Sequence, residues 1–316
     1  MKIVIPGGTG QLGALLARAF VRDGHEVVVL SRHVTPAPWR VVAWDAVSSG
    51  PWTRELDGAD VVINLAGRSV DCRYTPENRK AILDSRVRST HAVGDAIQAA
   101  VQPPRVWLQM STATIYSHRY DAPNDEHTGV IGGQEADVPS SWRFSIHVAE
   151  SWEQAATVFD TPSTRKVMLR TAMVMSADRG GVFDMLLRLV RFGLGGTQGN
   201  GRQYMSWIHD TDFVRAVQWL IAHDEISGAV NLTSPTPIPN CEFMRDLRTA
   251  WGMPIGLPAN ELMLTVGTFL LRSETELVLK SRRVVPTRLL ESGFAFQFPE
   301  WGAAARDLCA TWRVGA

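Results

Sequence analysis

The feature that most constrains this chain is the run Gly7-Gly8-Thr9-Gly10-Gln11-Leu12-Gly13 near its start. It follows a short β-branched stretch, Lys2–Ile5, and precedes Gln11–Asp23, where Leu12, Leu15, Leu16, Ala19 and Phe20 recur at helical spacing. The first glycine, Gly7, permits a tight strand-to-helix turn, and Gly10 lets the backbone approach a pyrophosphate. Gly13 lets the helix pack closely, and the helix N-terminus, opening at Gln11 and Leu12, offers oriented N–H groups to an anion. A second strand, Glu26–Leu30, follows, which favours a dinucleotide cradle over a merely glycine-rich turn.

The residues after that strand select the dinucleotide. An NAD site places an acid there for the ribose 2′-hydroxyl. Here the sequence is Ser31-Arg32-His33, and the nearby acid, Glu26, sits at the wrong end of the strand. A carboxylate repels a 2′-phosphate, whereas a guanidinium grips it through two hydrogen bonds. NADP(H) is the expected cofactor.

Further strand-like runs follow at Val41–Trp44, Val61–Leu65, Val106–Met110 and Val167–Leu169, too apolar for surface strands. Helix-like runs at 76–100 and His147–Phe159 alternate with them. The pattern predicts an α/β fold, a Rossmann-like doubly wound parallel sheet covered on both faces. Beyond about residue 171 helical runs dominate: Val182–Phe192, Phe213–His223, Glu242–Trp251, Leu262–Leu271 and Ala303–Trp312. The expected division is a cofactor-binding domain over 1–170 and a smaller α-rich substrate lobe over 171–316. The lobe includes a terminal subdomain near 255–305, with some strands free to return to the first domain.

Charge narrows the partners. The 32 basic and 32 acidic side chains cancel, leaving no global field to draw the chain to nucleic acid or an anionic membrane. Three dispersed cysteines form neither a disulfide framework nor a CxxC metal pair. No signal-like start and no apolar run of membrane-spanning length appear. The expectation is a cytoplasmic protein with a small-molecule substrate and no metal; the sequence leaves the oligomeric state open.

Several further stretches carry a family resemblance. The glycine run, Asn64-Leu65-Ala66-Gly67 and Ser111-Thr112-Ala113-Thr114-Ile115-Tyr116 resemble the extended short-chain dehydrogenases/reductases. Gly199-Asn200-Gly201 through Trp207-Ile208-His209-Asp210-Thr211-Asp212 resembles the matching segment of nucleotide-sugar epimerases. Arg73-Tyr74-Thr75, Ser85-Arg86, Trp152-Glu153, Gly195-Gly196 and the tail from Pro286 to Phe294 resemble an atypical "epimerase family" subgroup with its own small C-terminal domain. The resemblance implies that Asp45 meets the adenine, although Asp45 reads equally well as a turn former. It implies that Leu65, Ala66 and Gly67 line the cofactor ribose and phosphates. Ser111 and Thr112 then face the nicotinamide, with Thr112 at the catalytic Ser/Thr place. Arg86 lies near the catalytic group, and Arg170 and Thr171 border the same pocket.

One departure is plain. Active members carry Tyr-x-x-x-Lys on the helix after the fifth strand, where the lysine helps the phenol exchange a proton. None of the four tyrosines here has a lysine four residues later. Alignment on Glu153 puts Ser145 at the tyrosine place and Ala149 at the lysine place, and neither replaces the pair. Thr112, Tyr116, His209, Asp125 and Glu126 are candidate donors. Tyr116, Arg202, Gln203 and Trp207 are candidate substrate contacts, with Arg202 and Gln203 suited to a phosphate or carboxylate. Two readings stay open. One is an NADP(H)-dependent oxidoreductase or epimerase-like enzyme acting on a small polar carbonyl or hydroxyl compound, free or nucleotide-linked. The other is a non-catalytic NADP(H)-binding or redox-sensing protein.

Overall fold

The computed structural model describes residues 1–135, 138–260 and 276–315. Seven strands form one parallel sheet: β1 (Lys2–Pro6), β2 (Glu26–Ser31), β3 (Arg40–Ala43), β4 (Val61–Asn64), β5 (Val106–Thr112), β6 (Arg165–Thr171) and β10 (Gly228–Leu232). Their order is β10-β6-β5-β4-β1-β2-β3. The chain builds outward from β1 to β3, then crosses back and builds the other half from β4. The crossover leaves a crevice beyond the ends of β1 and β4, where ligands of open α/β sheets bind.

Period-two alternation divides the core between the two sheet faces. Ile3, Ile5, Val29, Ile63 and Leu108 pack with Leu16 and Phe20 of α1 (Gln11–Arg22) and Phe213, Val217 and Leu220 of α5 (Asp210–Ala222). Val4, Val28, Val62 and Trp107 face the other way, onto Ala92, Val93 and Ile97 of α2 (Pro76–Ala99). Asn64, buried at the end of β4, donates to Gln109 Oε1 at 3.0 Å and accepts from the Ala66 N–H at 3.1 Å. This satisfied polar contact shapes the loop that starts the second half of the crevice.

The smaller lobe has its own core. There β7 (Met173–Met175) pairs with β9 (Trp207–His209), and β8 (Tyr204–Met205) pairs with β11 (Ile238–Pro239). Around them α4 (Val182–Arg191) and α6 (Asn240–Trp251) pack with the final helix, Trp301–Val314. Trp207 meets Trp301 edge-on at 5.0 Å, and Phe243 stacks on Trp301 at 3.9 Å.

The structure refines three expectations. Past residue 170 the chain returns to the first sheet: β10 adds to it beside β6, a return the sequence reading left open, and α5 packs on it. The tail around 276–285, expected within a terminal subdomain, is tied into both parts: Asn124 N–H donates to Arg283 O at 2.7 Å, and Ser206 Oγ to Arg282 O at 2.6 Å. The helix after β5, α3 (Ser140–Thr157), begins seven residues before the expected His147, because Ser140–Ser145 show little apolar period. The expected helical run Leu262–Leu271 lies outside the described residues.

Candidate functional site

The glycine loop is shaped by close backbone contacts. Gly7 has a φ of +75°, and a Cβ there would lie 2.6 Å from Ala66 Cα. A Cβ on Gly13 would lie 2.4 Å from Gly8 Cα, so this glycine lets α1 close onto the loop. Gly10 differs: nothing lies nearer than Gly7 O at 3.9 Å, and its outer side is open. No side chain caps α1 at Gly10. The buried Gln11 Nε2 at the same end has no hydrogen-bond partner. An open glycine, an uncapped helix N-terminus and an orphaned amide donor together fit a diphosphate.

At the end of β2, Ser31 is buried, with Oγ accepting from the His33 N–H at 3.2 Å and lying 3.3 Å from Thr9 Oγ1. Arg32 beside it is exposed and forms no ion pair among the described residues. Asp45 takes the turn role: one carboxylate oxygen accepts from the N–H groups of Val47 and Ser48, both at 2.8 Å, holding its pKa below the usual carboxylate range. Across the crevice, Leu65 N–H donates to Pro6 O at 2.9 Å. Gly67 lies against Arg86, whose carbon atoms a Cβ there would meet at 3.3 Å. Arg86 lies over the Trp152 ring at 4.8 Å and donates to Arg68 O at 3.0 Å and Ile82 O at 3.1 Å. It forms no carboxylate ion pair among the described residues, and burial lowers its pKa to about 10.

The strand ends of β5 and β6 behave differently from one another. Thr112 is partly exposed, and its hydroxyl oxygen accepts from Thr114 N–H at 3.2 Å, leaving its own O–H to donate. Ser111 instead donates inward to Glu153 Oε1 at 2.6 Å. Arg170 holds the same carboxylate through Nε at 2.9 Å and NH2 at 2.8 Å, and donates to the Tyr116 hydroxyl at 3.0 Å. Tyr116 is 2% exposed and its O–H donates to Asn231 Oδ1 at 3.0 Å. Thr171 is buried and donates to Leu169 O at 3.1 Å. Ser111, Arg170, Thr171 and Tyr116 thus brace the strand ends from inside. Tyr116 and Trp207, both expected as substrate contacts, are buried, Trp207 fully so in the lobe core.

The candidate donors also resolve. His209 caps α5, its Nδ1 accepting from Thr211 N–H at 3.1 Å, and stacks on Phe298 at 3.9 Å. Asp125 closes a turn by accepting from His127 N–H at 2.9 Å. Burial pushes Glu126 above the usual carboxylate range while it accepts from Asn231 N–H at 2.8 Å.

A cavity of about 330 Å³ lies between the two parts of the chain, lined by His118, Tyr120, Trp142, Asn200, Gln203 and Leu279. His118 contacts both aromatic rings, at 5.0 Å to Tyr120 and 4.8 Å to Trp142. Burial and the charges of Lys280 and Arg282 lower its pKa. Gln203 lines the cavity with its amide nitrogen donating to Gln198 O at 2.8 Å. Arg202 stands exposed, 5.9 Å from the Tyr120 ring.

Beside this cavity is a cluster that the sequence did not announce. Ser145 donates to Glu276 Oε2 at 2.5 Å and lies 3.5 Å from the Tyr74 hydroxyl. Lys280 is 1% exposed, donates to Thr114 O at 2.8 Å and lies 3.9 Å from Glu276. Burial, with the charge of Arg282, lowers its pKa to about 8. Arg282 Nε reaches Thr114 Oγ1 at 3.2 Å. Ala149, at the place of the family lysine, is fully buried against Ala113, Tyr116 and Val284. Only spatial proximity links these segments; no local spacing could have flagged them.

The sequence profile of the NAD dependent epimerase/dehydratase family matches residues 3–233, and a profile described as Domain of unknown function (DUF1731) matches 261–308. The chain belongs to the NAD dependent epimerase/dehydratase family. It is similar to Epimerase family protein SDR39U1 of Bos taurus, 32% identical over 98% of this chain and 100% of that one. It is similar to Epimerase family protein YfhF of Bacillus subtilis, 31% identical over 98% of each chain. The crystal structure of human epimerase family protein SDR39U1 with NADPH matches with a TM-score of 0.85 at 29% identity, covering 98% of this chain and 99% of that one. A nucleoside-diphosphate sugar epimerase from Corynebacterium glutamicum matches at 0.76 and 27% identity, over 98% of this chain and 58% of that one.

Proposed function

We propose that this chain binds NADP(H) in the crevice and serves as an oxidoreductase on a small polar carbonyl or hydroxyl compound, free or nucleotide-linked. The observation that carries the reading is the glycine cradle with its uncapped helix end and orphaned Gln11 amide. Gly7, Gly10, Gln11, Leu12 and Gly13 hold the diphosphate. Ser31 and Arg32 take the 2′-phosphate, and no acid stands at the end of β2 to repel it. Asp45 borders the adenine with the carboxylate oxygen its turn leaves over. Leu65, Ala66 and Gly67 line the ribose, with Arg86 behind them. The NADPH in the human relative's crystal supports this choice. When bound, the nicotinamide gives or takes a hydride; binding, orientation and proton handling fall to the chain. Thr112 orients the reacting oxygen with its free O–H.

The aromatic cavity, with Arg202 at its rim, is the substrate's place in this reading. Three free cysteines, one of them exposed at Cys241, suit a reducing cytoplasm. Among the described residues no helix is long and apolar enough to cross a membrane, and no cluster could hold a metal ion. Arg202→Ala is expected to weaken binding of phosphate- or carboxylate-bearing ligands while NADPH affinity, measured by fluorescence titration, stays within about twofold. Loss of NADPH affinity instead, with the fold unchanged, would put the Arg202 loop on the cofactor side.

A further inference from the structure

The hydrogen-bonding groups that line the aromatic cavity are biased toward donors, because its side-chain acceptors are committed elsewhere. His118 Nδ1 accepts from the Ser281 N–H at 2.8 Å, and Asn200 Oδ1 accepts from the Arg202 N–H at 2.9 Å. The Gln203 side-chain oxygen is buried away from solvent. No carboxylate lines the cavity, and Glu135 beside it accepts from the N–H groups of His118 and Gly133. The donors are placed otherwise. With Nδ1 accepting, the His118 ring carries its proton on Nε2, which has no partner among the described residues. The Trp142 indole N–H has none either, and Asn200 keeps its amide protons. Arg202 adds an exposed guanidinium at the rim, without an ion pair among the described residues.

Resting on the reading that this cavity is the substrate's place, we infer that its ligand is an aromatic keto acid, a single aryl ring bearing a ketone and a carboxylate, and not a polyol such as a sugar. Ketone and carboxylate oxygens only accept, so they match a lining that mainly donates. Each hydroxyl of a sugar brings a proton that needs an acceptor, and a desolvated hydroxyl left without one costs binding. Three aromatic rings supply the walls, with His118 at 5.0 Å from Tyr120 and 4.8 Å from Trp142. Such rings favour a flat aromatic partner in offset or edge-on packing. The volume of about 330 Å³ stands at the small end of ligand pockets, which run from ~300 to 1,000 Å³, and suits one ring with a short arm. Arg202 is the partner for the carboxylate.

His118 sets the discrimination, because a backbone N–H holds its tautomer. The Ser281 N–H cannot become an acceptor, so turning the ring over would leave that donor unpaired. The same bias separates substrate from product. Reduction moves a hydride from NADPH to the ketone carbon and a solvent proton to its oxygen, leaving NADP⁺ and a hydroxy acid. The new hydroxyl is a donor in a lining short of acceptors, so the hydroxy acid is held more weakly than the keto acid.

Calorimetric titration of the full chain with four probes, with and without NADPH, tests the ligand class. Phenylglyoxylate is expected to bind. Cyclohexylglyoxylate, which keeps the acceptors and lacks the aromatic face, is expected to bind roughly three- to tenfold more weakly. Mandelate, the hydroxy acid, is expected to be weaker by roughly tenfold, and glucose to give no saturable heat. His118→Asn keeps an acceptor for the Ser281 N–H and removes the Nε2 donor. It is expected to lose roughly tenfold in phenylglyoxylate affinity, and His118→Gln, which returns a donor near that place, to recover part of the loss. Should His118→Asn fail to fold, Trp142→Phe carries the same test, with the ring kept and the N–H removed. Absent phenylglyoxylate binding, cyclohexylglyoxylate, mandelate or glucose binding as tightly, or full affinity in these variants overturns the ligand class. If another small carbonyl compound is then reduced, the oxidoreductase reading survives that failure. Phenylglyoxylate that binds in the expected pattern without ever oxidising NADPH overturns the oxidoreductase reading instead and leaves the ligand class standing.

Discussion

The two ends of the crevice are made from different materials. At the β1 end the working groups are backbone: glycines whose missing Cβ atoms let Gly7 meet Ala66 and Gly13 meet Gly8, and N–H groups at the start of α1. At the β5 end they are polar and charged side chains from three segments far apart in the chain: Tyr74 and Ser145, linked to Glu276, and Lys280 and Arg282, which reach Thr114. Backbone geometry tolerates little substitution and binds a ligand component common to many enzymes. A side-chain cluster can be rebuilt one residue at a time, which suits chemistry that differs from one family branch to the next. Ser145, at the place of the family's tyrosine, meets Glu276 of the C-terminal segment, which lies 3.9 Å from both Lys280 and Arg282.

The largest effect that can break this contrast comes from restoring the family pair. Ser145→Tyr with Ala149→Lys would place a ring against Glu276 and bury a lysine among Ala113, Tyr116 and Val284. Overpacking costs about 1–3 kcal/mol and an unpaired buried charge several more, so the double variant is expected to unfold at a much lower temperature without gaining reductase activity. Thermal unfolding with an NADPH-oxidation assay checks it; a stable double variant that reduces carbonyls would mean that the ancestral geometry persists. At the other end, Gly13→Ala drives a Cβ into the Gly8 backbone, which cannot swing aside as a side chain would. A loss of about 3 kcal/mol is expected by denaturant titration.

A smaller effect distinguishes the charged end by pH. Lys280 has a folded pKa of about 8, below its ordinary 10.5, so the unfolded chain binds the extra proton between these values. Stability from this group is present above pH 10.5 and is lost as pH falls toward 8. Lys280→Met is expected to flatten that slope, by at most about 3 kcal/mol across the window. Denaturant melts at several pH values read it directly, and an unchanged slope would place the titration elsewhere.

Most of the sheet was legible because its strands are short, apolar and bounded by turns: β1, β2, β4 and β5 lie within two residues of their expected limits. The cradle was legible for a related reason, since its residues are neighbours in sequence. What stayed hidden needed the fold. β10 carries only Gly-Ala-Val-Asn-Leu, and it becomes a strand by pairing with β6. Tyr116 and Trp207 looked like pocket residues because the resemblance and aromatic character pointed that way, yet burial and partners commit both to the interior. Lys280 and Arg282 gave no local signal at all, because their contacts with Thr114 span more than 160 residues.

The central claim is that the crevice selects NADP(H), and a calorimetric titration of wild type and Arg32→Glu with NADPH and NADH tests it most directly. Arg32 is exposed, free of ion pairs among the described residues, and follows β2 directly, where the proposed function puts the 2′-phosphate. One charge-assisted hydrogen-bond pair is worth about 1.5–3 kcal/mol, so wild type is expected to prefer NADPH by roughly ten- to a hundredfold. Arg32→Glu is expected to abolish or reverse that preference, with the fold intact. Equal affinities in the wild type, or a preference that survives Arg32→Glu, would contradict the account.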